Sequence, residues 1–388
     1  MQNTKKLAII GTVGVPARYG GFETLAHQLV ENLDERFEVT VYNSTHHYSA
    51  KERVKTWKGA KIKYIPLSAN GVASIFYDIW SMIHAVLYCD ILLILGVSGC
   101  LVLPFIKLFF PSKKLIVNID GLEWRRPKWN RYAKSFLRLS ERVAVWVADE
   151  VVADNAAIQK YVVELYGAPA NLIEYGGDHH EAQKLSAQVV HQFPFLIQEY
   201  AFKVSRIEPE NNIQMILDAF IEQNGLPLVL VGNWQNSEYG KSLYGEYCMH
   251  PQLHLLDPIY DQNILNELRS NAKVYIHGHS AGGTNPSLVE AMHLGLPIIS
   301  FDVIYNRITT EHAAHYFENA KQLTKMIKFL NLLELDNIAM EMKAIANRRY
   351  RWSIIGEKYG DLILGKKMEK EPVFDFELPL ALRQVMYS

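Results

Sequence analysis

The sequence predicts an α/β protein built as two Rossmann-like, doubly wound domains that face a central cleft. Three observations carry this expectation. Short apolar runs, of the kind that parallel sheets bury on both faces, alternate with stretches of helical period along most of the chain. In each half, one such run opens into a glycine-bearing loop that leads into a helix. At 388 residues the chain exceeds what one hydrophobic core organises, so two or three domains are expected.

Composition narrows the class. The chain is 49% hydrophobic, enough for a large core, and its net charge of −1 gives no reason to expect a nucleic-acid partner. Cys89, Cys100 and Cys248 form neither a C-x-x-C pair nor a metal pattern, which fits a reducing cytosol. The first six residues lead directly into a strand-like run, so no signal peptide is expected. The most apolar stretch, residues 91–110, is interrupted by Gly96, Ser98, Gly99, Pro104 and Lys107. It reads as a strand plus a helix, not a membrane span, which needs about 20 uninterrupted residues.

The elements follow in order. Residues 7–10 form a strand that ends at Gly11, and Leu25, Leu29, Val30 and Leu33 mark one face of the next helix. The loop between them, residues 11–23, is longer than the dinucleotide fingerprint and does not match G-x-G-x-x-G, which argues against a nicotinamide cofactor. Its Gly20 and Gly21 permit a ligand to approach the backbone, and Arg18 is placed to pair with a phosphate; the alternative is a turn that uses glycine for positive φ. Strands at 37–42, 62–65, 91–95 and 115–119 alternate with a helix over 75–87. Asp120 lies directly after the last of these strands, at the end where doubly wound sheets bind ligands, and is either a cleft residue or a turn aspartate.

Residues 124–134 are basic and aromatic, and Arg138 and Arg142 extend the charge along the following helix. This stretch is either a contact for anionic lipid or lipid diphosphate, or a solvated helix face; Trp124 and Trp129 are alternatively platforms for a sugar ring. A strand at 150–153, a helix over 155–166 and a strand at 172–175 complete the first domain, residues 1–178. The second, residues 179–350, begins with a polar linker and short helix. It continues with strands at 200–205, 227–231, 253–256 and 273–276, and helices marked by Ile213, Ile216, Leu217 and Phe220, then by Ile264, Leu265 and Leu268.

The centre of the sequence is the run from His277 to Met292, set between the strand at 273–276 and another at 297–301. Asn285 is a good N-cap, Pro286 suits the first helical position, and Gly295 closes the helix. A strand, a glycine loop and a helix N-terminus together attract phosphate. Glu290, about one turn in, is placed to accept hydrogen bonds from sugar hydroxyls. Two helices follow over 320–347. In residues 351–388, Trp352, Ile355 and Tyr359 lie on one face of a helix that crosses back toward the first domain, and residues 366–388 read as a tail.

With these residues in place, the chain resembles the retaining GT-B glycosyltransferases of the family-four group, and most nearly the bacterial rhamnosyltransferase branch that builds capsule, exopolysaccharide and cell-wall glycans. Four motifs in order carry the resemblance: residues 11–23; Asp120-Gly121-Leu122-Glu123-Trp124-Arg125-Arg126; Arg206-Ile207-Glu208-Pro209-Glu210-Asn211-Asn212; and the run through Glu290. The resemblance implies that Arg206 binds the donor diphosphate and Glu290 the nucleotide ribose. Gly283 and Thr284, with Asn285, Ser287 and Leu288 beside them, would hold donor sugar and phosphate. Gly20 and Gly21 would line the reaction centre, and Asp120 would lie near the reacting sugar. Glu23, Glu123, Trp124, Arg125 and Arg126 fall on the acceptor side.

Two departures stand out. The group's lysine five residues after the arginine is Asn211 here, and the first of its paired glutamates, eight before Glu290, is Gly282. A hydrogen bond to a charged group contributes about 1.5–3 kcal/mol, so losing the lysine would weaken diphosphate binding roughly tenfold unless Arg18 or the helix end compensates. The missing glutamate fits a donor with different hydroxyls, such as a 6-deoxy sugar.

The expected activity is transfer of a hexose, best rhamnose from dTDP-rhamnose, to a lipid-linked saccharide. The expected location is cytoplasmic, with peripheral contact to the inner face of the plasma membrane as an option. No D-x-D motif is present, so no metal and no cofactor beyond the nucleotide-sugar substrate is expected. Two alternatives share the fold: a nucleotide-sugar epimerase, and a non-catalytic module that binds sugar nucleotides.

Overall fold

The computed structural model describes residues 4–18, 20–126, 129–223, 225–330 and 332–366. The tail expected over 366–388 lies, beyond Lys366, outside the described residues, as do Tyr19 and the Pro127 and Lys128 of the basic stretch. The chain divides into two compact units: one runs to Tyr175 and resumes at Trp352, the other is Gly176–Arg351.

The first unit holds a sheet of eight strands. In chain order they are β1 (Lys5–Ile10), β2 (Phe37–Ser44), β3 (Thr56–Trp57), β4 (Ala60–Ile65), β5 (Ile91–Leu95), β6 (Lys114–Asn118), β7 (Glu150–Ala153) and β8 (Asn171–Leu172). In space they run β3-β4-β2-β1-β5-β6-β7-β8, all parallel except the short β3–β4 hairpin. The strand order reverses between β1 and β5, which is the doubly wound signature. Leu7–Ile10 and most of β5 and β6 are buried, as their unbroken apolar sequences require. The connections β4→β5, β5→β6 and β6→β7 cross the sheet in one direction, so right-handed crossovers place their helices, Ala73–Tyr88, Leu103–Phe109 and Arg131–Val147, on one face.

The helix Trp352–Ile363 belongs to this unit and packs on Gly21–Asn32. A Cβ at Gly356 would stand 2.7 Å from Asn32 Cβ, so only glycine permits that approach. The buried Tyr359 hydroxyl accepts from Asn118 Nδ2 at 2.9 Å, Lys114 Nζ donates to the Leu362 carbonyl at 2.6 Å, and Lys358 pairs with the buried Glu174 at 2.8 Å. The strand expected over 172–175 is shorter, because only Asn171 and Leu172 pair with β7.

The second unit has a six-stranded, wholly parallel sheet: β9 (Ala201–Val204), β10 (Leu228–Val231), β11 (Leu253–Leu256), β12 (Val274–His277), β13 (Ile298–Phe301) and β14 (His315–Phe317). Their order is β11-β10-β9-β12-β13-β14, with the reversal between β9 and β12. Ala201, Leu228, Leu230, Val274 and Ile276 bury one sheet face against Ile213, Ile216, Leu217 and Phe220 of the helix Ile213–Ile221. The helices Glu238–Tyr247 and Ile304–Thr309 and the edge strand β14 carry no clear period in the sequence and are seen only in the structure. Among the described residues no helix is long and apolar enough to cross a membrane.

Candidate active site

In the second unit, the carboxyl ends of β9 and β12 lie side by side at the point of reversal, where open α/β sheets bind ligands. Arg206 follows β9 and residues 278–285 follow β12. The two loops are laced together. Asn212 Nδ2 donates to the Gly278 carbonyl at 2.8 Å, and Asn211 Oδ1 meets His279 Nδ1 at 2.9 Å. The Ser280 amide and hydroxyl both donate to the Glu210 carbonyl, at 2.8 and 2.9 Å. The fit is close enough that a Cβ at Gly278 would lie 2.3 Å from the Asn211 carbonyl oxygen.

This lacing shows what Asn211 and Asn212, both expected among the donor contacts, hold in the structure. Asn211, at the position of the missing lysine, is buried; its Nδ2 holds the Arg206 carbonyl at 2.9 Å and its Oδ1 meets His279. Asn212 sits in the left-handed region at φ 50° and is likewise spent on the loop. Both fix the backbone from which Arg206 projects. The Arg206 side chain is exposed and makes no hydrogen bond or ion pair with other described residues.

The helix Pro286–His293 starts as its sequence demands. Asn285 Oδ1 accepts from the Ser287 amide at 3.1 Å and the Ser287 hydroxyl at 2.8 Å. Leu288, expected among the donor contacts, is fully buried, so its side chain packs in the core and only its backbone belongs to the loop. Thr284 is buried and Gly283 half-buried. Gly282, where the group's first glutamate was expected, has φ +94°, a conformation that glutamate rarely adopts.

Glu290 lies inside the unit, its side chain 13% exposed. One oxygen takes the Arg269 guanidinium at 2.5 Å and the other faces His179 Nε2 at 3.4 Å. Burial raises the carboxyl pKa, but Arg269, with help from His179 and His180, outweighs burial and holds it at about 2. A Cβ at Gly177 would stand 2.7 Å from the Val289 carbonyl carbon, so the chain bearing His179 and His180 lies directly against this helix.

In the first unit, the loop over residues 11–18 is fixed by its neighbours. A Cβ at Gly11, which has φ +88°, would collide with the Leu95 carbonyl oxygen at 2.0 Å. The Asn43 amide brackets Val15, accepting from its N–H at 3.1 Å and donating to its carbonyl at 2.7 Å. Tyr48 donates to the Pro16 carbonyl at 3.0 Å, and His27 Nδ1 and Glu23 Oε2 accept from the Ala17 and Arg18 amides at 3.2 and 3.1 Å. Glu23 is therefore buried beneath Gly20 and shapes the loop. Arg18 pairs with Glu52 at 2.6 Å and lies over the Tyr48 ring at 4.7 Å. Asp120 stands at the end of β6 with φ 61°, its amide donating to Asn118 Oδ1 at 3.0 Å.

The residues expected on the acceptor side are largely turned inward. Trp124 is buried and its indole donates to Glu141 Oε2 at 3.1 Å, so it is not an open platform for a sugar. Glu123 accepts from the Trp129 indole at 3.0 Å and pairs with Arg126 at 2.7 Å. Arg125 is half-buried in the same turn.

Residues 193–349 match the family described as glycosyl transferases group 1, and residues 4–178 match a domain of unknown function, DUF1972. The chain is a glycosyltransferase of the GT-B fold. No curated protein matches it. Sucrose-phosphate synthase from Thermosynechococcus elongatus superposes with a TM-score of 0.78 at 15% identity, covering 93% of this chain and 98% of that one. HepE from Anabaena, solved in complex with UDP-glucose, gives 0.71 at 15% identity, covering 93% and 100%. A glycosyltransferase from Rickettsia africae gives 0.68 at 11% identity, covering 94% and 100%. At these identities the likeness is one of fold.

Sequence reasoning about this glycosyltransferase missed Arg269, His179 and His180. Arg269 sits on the helix Gln262–Ser270, whose amphipathic pattern is legible, but no motif marks an arginine that is 2% exposed as the partner of Glu290. His179, His180 and Glu290 present ligand atoms within 4.8 Å of one another, the spacing of a metal site. The Arg269 guanidinium on the same carboxylate opposes a dication there. His180 is held down at about 4 by burial, with His179 and Arg269 adding to the effect, so it is neutral at pH 7.

Proposed function

We propose that this glycosyltransferase moves a hexose, with rhamnose from dTDP-rhamnose the best candidate, from a nucleotide diphosphate to a hydroxyl of a lipid-linked saccharide in bacterial surface polysaccharide synthesis, with retention of configuration. One observation carries the reading: Arg206, exposed and with no side-chain partner among the described residues, projects from a loop laced to the glycine loop that leads into Pro286–His293, at the reversal point of the second sheet. A guanidinium and a helix N-terminus on two joined loops suit a diphosphate in which charge grows as the anomeric C–O bond breaks. The acceptor oxygen forms the new bond, and its proton goes to the departing diphosphate.

Glu290 is ionised, and each oxygen has lone-pair capacity beyond its present partner for a ribose hydroxyl. HepE from Anabaena holds UDP-glucose on the same fold, which supports a nucleotide-sugar donor here. The left-handed Gly282 in place of a carboxylate fits a donor with fewer hydroxyls, such as a 6-deoxy hexose. No metal is required in this reading, since the helix end and Arg206 supply the positive charge.

A panel of nucleotide sugars, with and without a lipid-linked saccharide, tests it. Diphosphate release only when acceptor is present is expected, and it should survive EDTA. Epimerisation without acceptor, binding without turnover, or activity restored only by Mg²⁺ or Mn²⁺ would each overturn part of the proposal.

A further inference from the structure

Three adjoining helices on one face of the first sheet, Ala73–Tyr88, Leu103–Phe109 and Arg131–Val147, carry most of the exposed large hydrophobics among the described residues. On Ala73–Tyr88 these are Phe76, Trp80, Ile83 and Leu87, with Val72 just before, between 51% and 70% exposed. Spacings of four, four, three and four put them on a single stripe. The buried side of the same helix is a separate set, Tyr77, Asp78, Ser81, Met82, Ala85 and Val86. Leu103–Phe109 adds Phe105, Leu108 and Phe109, each above 60% exposed. Arg131–Val147 adds Leu139 and Trp146.

The three helices adjoin. Leu103–Phe109 packs against Arg131–Val147, and the turn that leads into it meets Ala73–Tyr88 so closely that a Cβ on Gly99 would lie 2.6 Å from Asp78 Cβ. The stripes therefore make one apolar face, a feature that monomeric soluble proteins rarely leave open.

Charge selects the occupant. The only carboxylates on these helices, Asp78 and Glu141, are buried, whereas Arg131 and Arg142 are exposed. Arg142 lies over the exposed Trp146 ring at 5.5 Å and Arg131 over Tyr132 at 4.8 Å. Apolar stripes edged by arginine and by Trp or Tyr, with no outward acid, match the headgroup boundary of an anionic bilayer. We propose that this helical face docks the first unit on the surface of a membrane containing anionic lipid, by insertion of the Phe76–Trp80–Ile83 stripe and the Phe105–Phe109 edge.

The inference does not depend on the donor or acceptor, and the test contains neither. The full chain is sedimented with vesicles of phosphatidylcholine alone and of phosphatidylcholine with phosphatidylglycerol, and compared with F76S/W80S/I83S and with R131Q/R142Q. Wild type should pellet with the anionic vesicles and be released by high salt. The apolar triple variant should bind at least tenfold less at an unchanged Tm, and the arginine pair should lose the preference for anionic lipid. Three results overturn the proposal: no pelleting of wild type with either vesicle, equal pelleting of the triple variant, or a wild-type dimer in light scattering that the triple variant abolishes without any vesicle binding. The last would make the face a contact between copies of this chain.

Discussion

The loops at residues 11–20 and 278–285 read alike in the sequence: each follows a buried parallel strand, bears glycines and enters a helix. Their hydrogen bonds separate them. The first is held by side chains from beneath and beside it, with Asn43, Tyr48, His27 and Glu23 consuming backbone groups of Val15 to Arg18, and its one cation is engaged by Glu52. The second is held mainly through the neighbouring 206–212 loop, which leaves Arg206 unengaged. A glycine loop whose backbone and cation are both taken up by neighbouring side chains defines a surface, whereas one braced through a neighbouring loop keeps charge available for a ligand.

The largest expected effect lies under the second loop. Arg269→Met leaves the buried Glu290 carboxylate without its guanidinium and facing only His179, and breaking such a buried pair costs about 3–5 kcal/mol of stability, measured by urea unfolding. The associated pH dependence has a definite sign. Glu290 is held at about 2 against an ordinary 4.5, so its contribution is complete above pH 4.5 and is lost as the pH falls toward 2. Unfolding free energy of Glu290→Gln should fall less steeply over that window than wild type.

Next is Arg206→Ala, which should lower donor turnover about a hundredfold or more with an unchanged circular dichroism spectrum; an unaffected rate would remove the asymmetry between the loops. Gly278→Ala follows. Its methyl group would force the two laced loops apart, at a cost of about 1–3 kcal/mol in thermal unfolding and a weakened affinity for nucleoside diphosphate by calorimetry. Smallest is Arg18→Ala, which should change donor affinity less than about threefold, because that guanidinium is half-exposed and already paired. A tenfold loss there would make the first loop an anion site as well.

Much of the fold is legible in the sequence because parallel strands buried on both faces leave unbroken apolar runs, as in β1, β5 and β12. Asn285 and Pro286 likewise announce the start of their helix. What escapes is tertiary. A three-residue strand such as β14 gains its order from pairing with β13, not from its own pattern. Trp124 reads as a surface aromatic in a basic stretch, but Glu141, seventeen residues on, draws its indole inward. Asn211 occupies the position of a missing lysine, and nothing local shows that its amide is consumed by His279, sixty-eight residues away. Arg269 is invisible for the same reason, since a contact partner across two helices leaves no spacing to count.

The closing helix Trp352–Ile363 bears on how this enzyme can be rearranged. Because it seats Gly356 on Asn32 and Tyr359 on Asn118, the N-terminal half is discontinuous, with the other half spliced into it. A chimera made by a single crossover near residue 178 would strip that plug and expose an apolar scar. Grafting a foreign second unit therefore requires two junctions, near 175 and 352, so that the native stopper is kept.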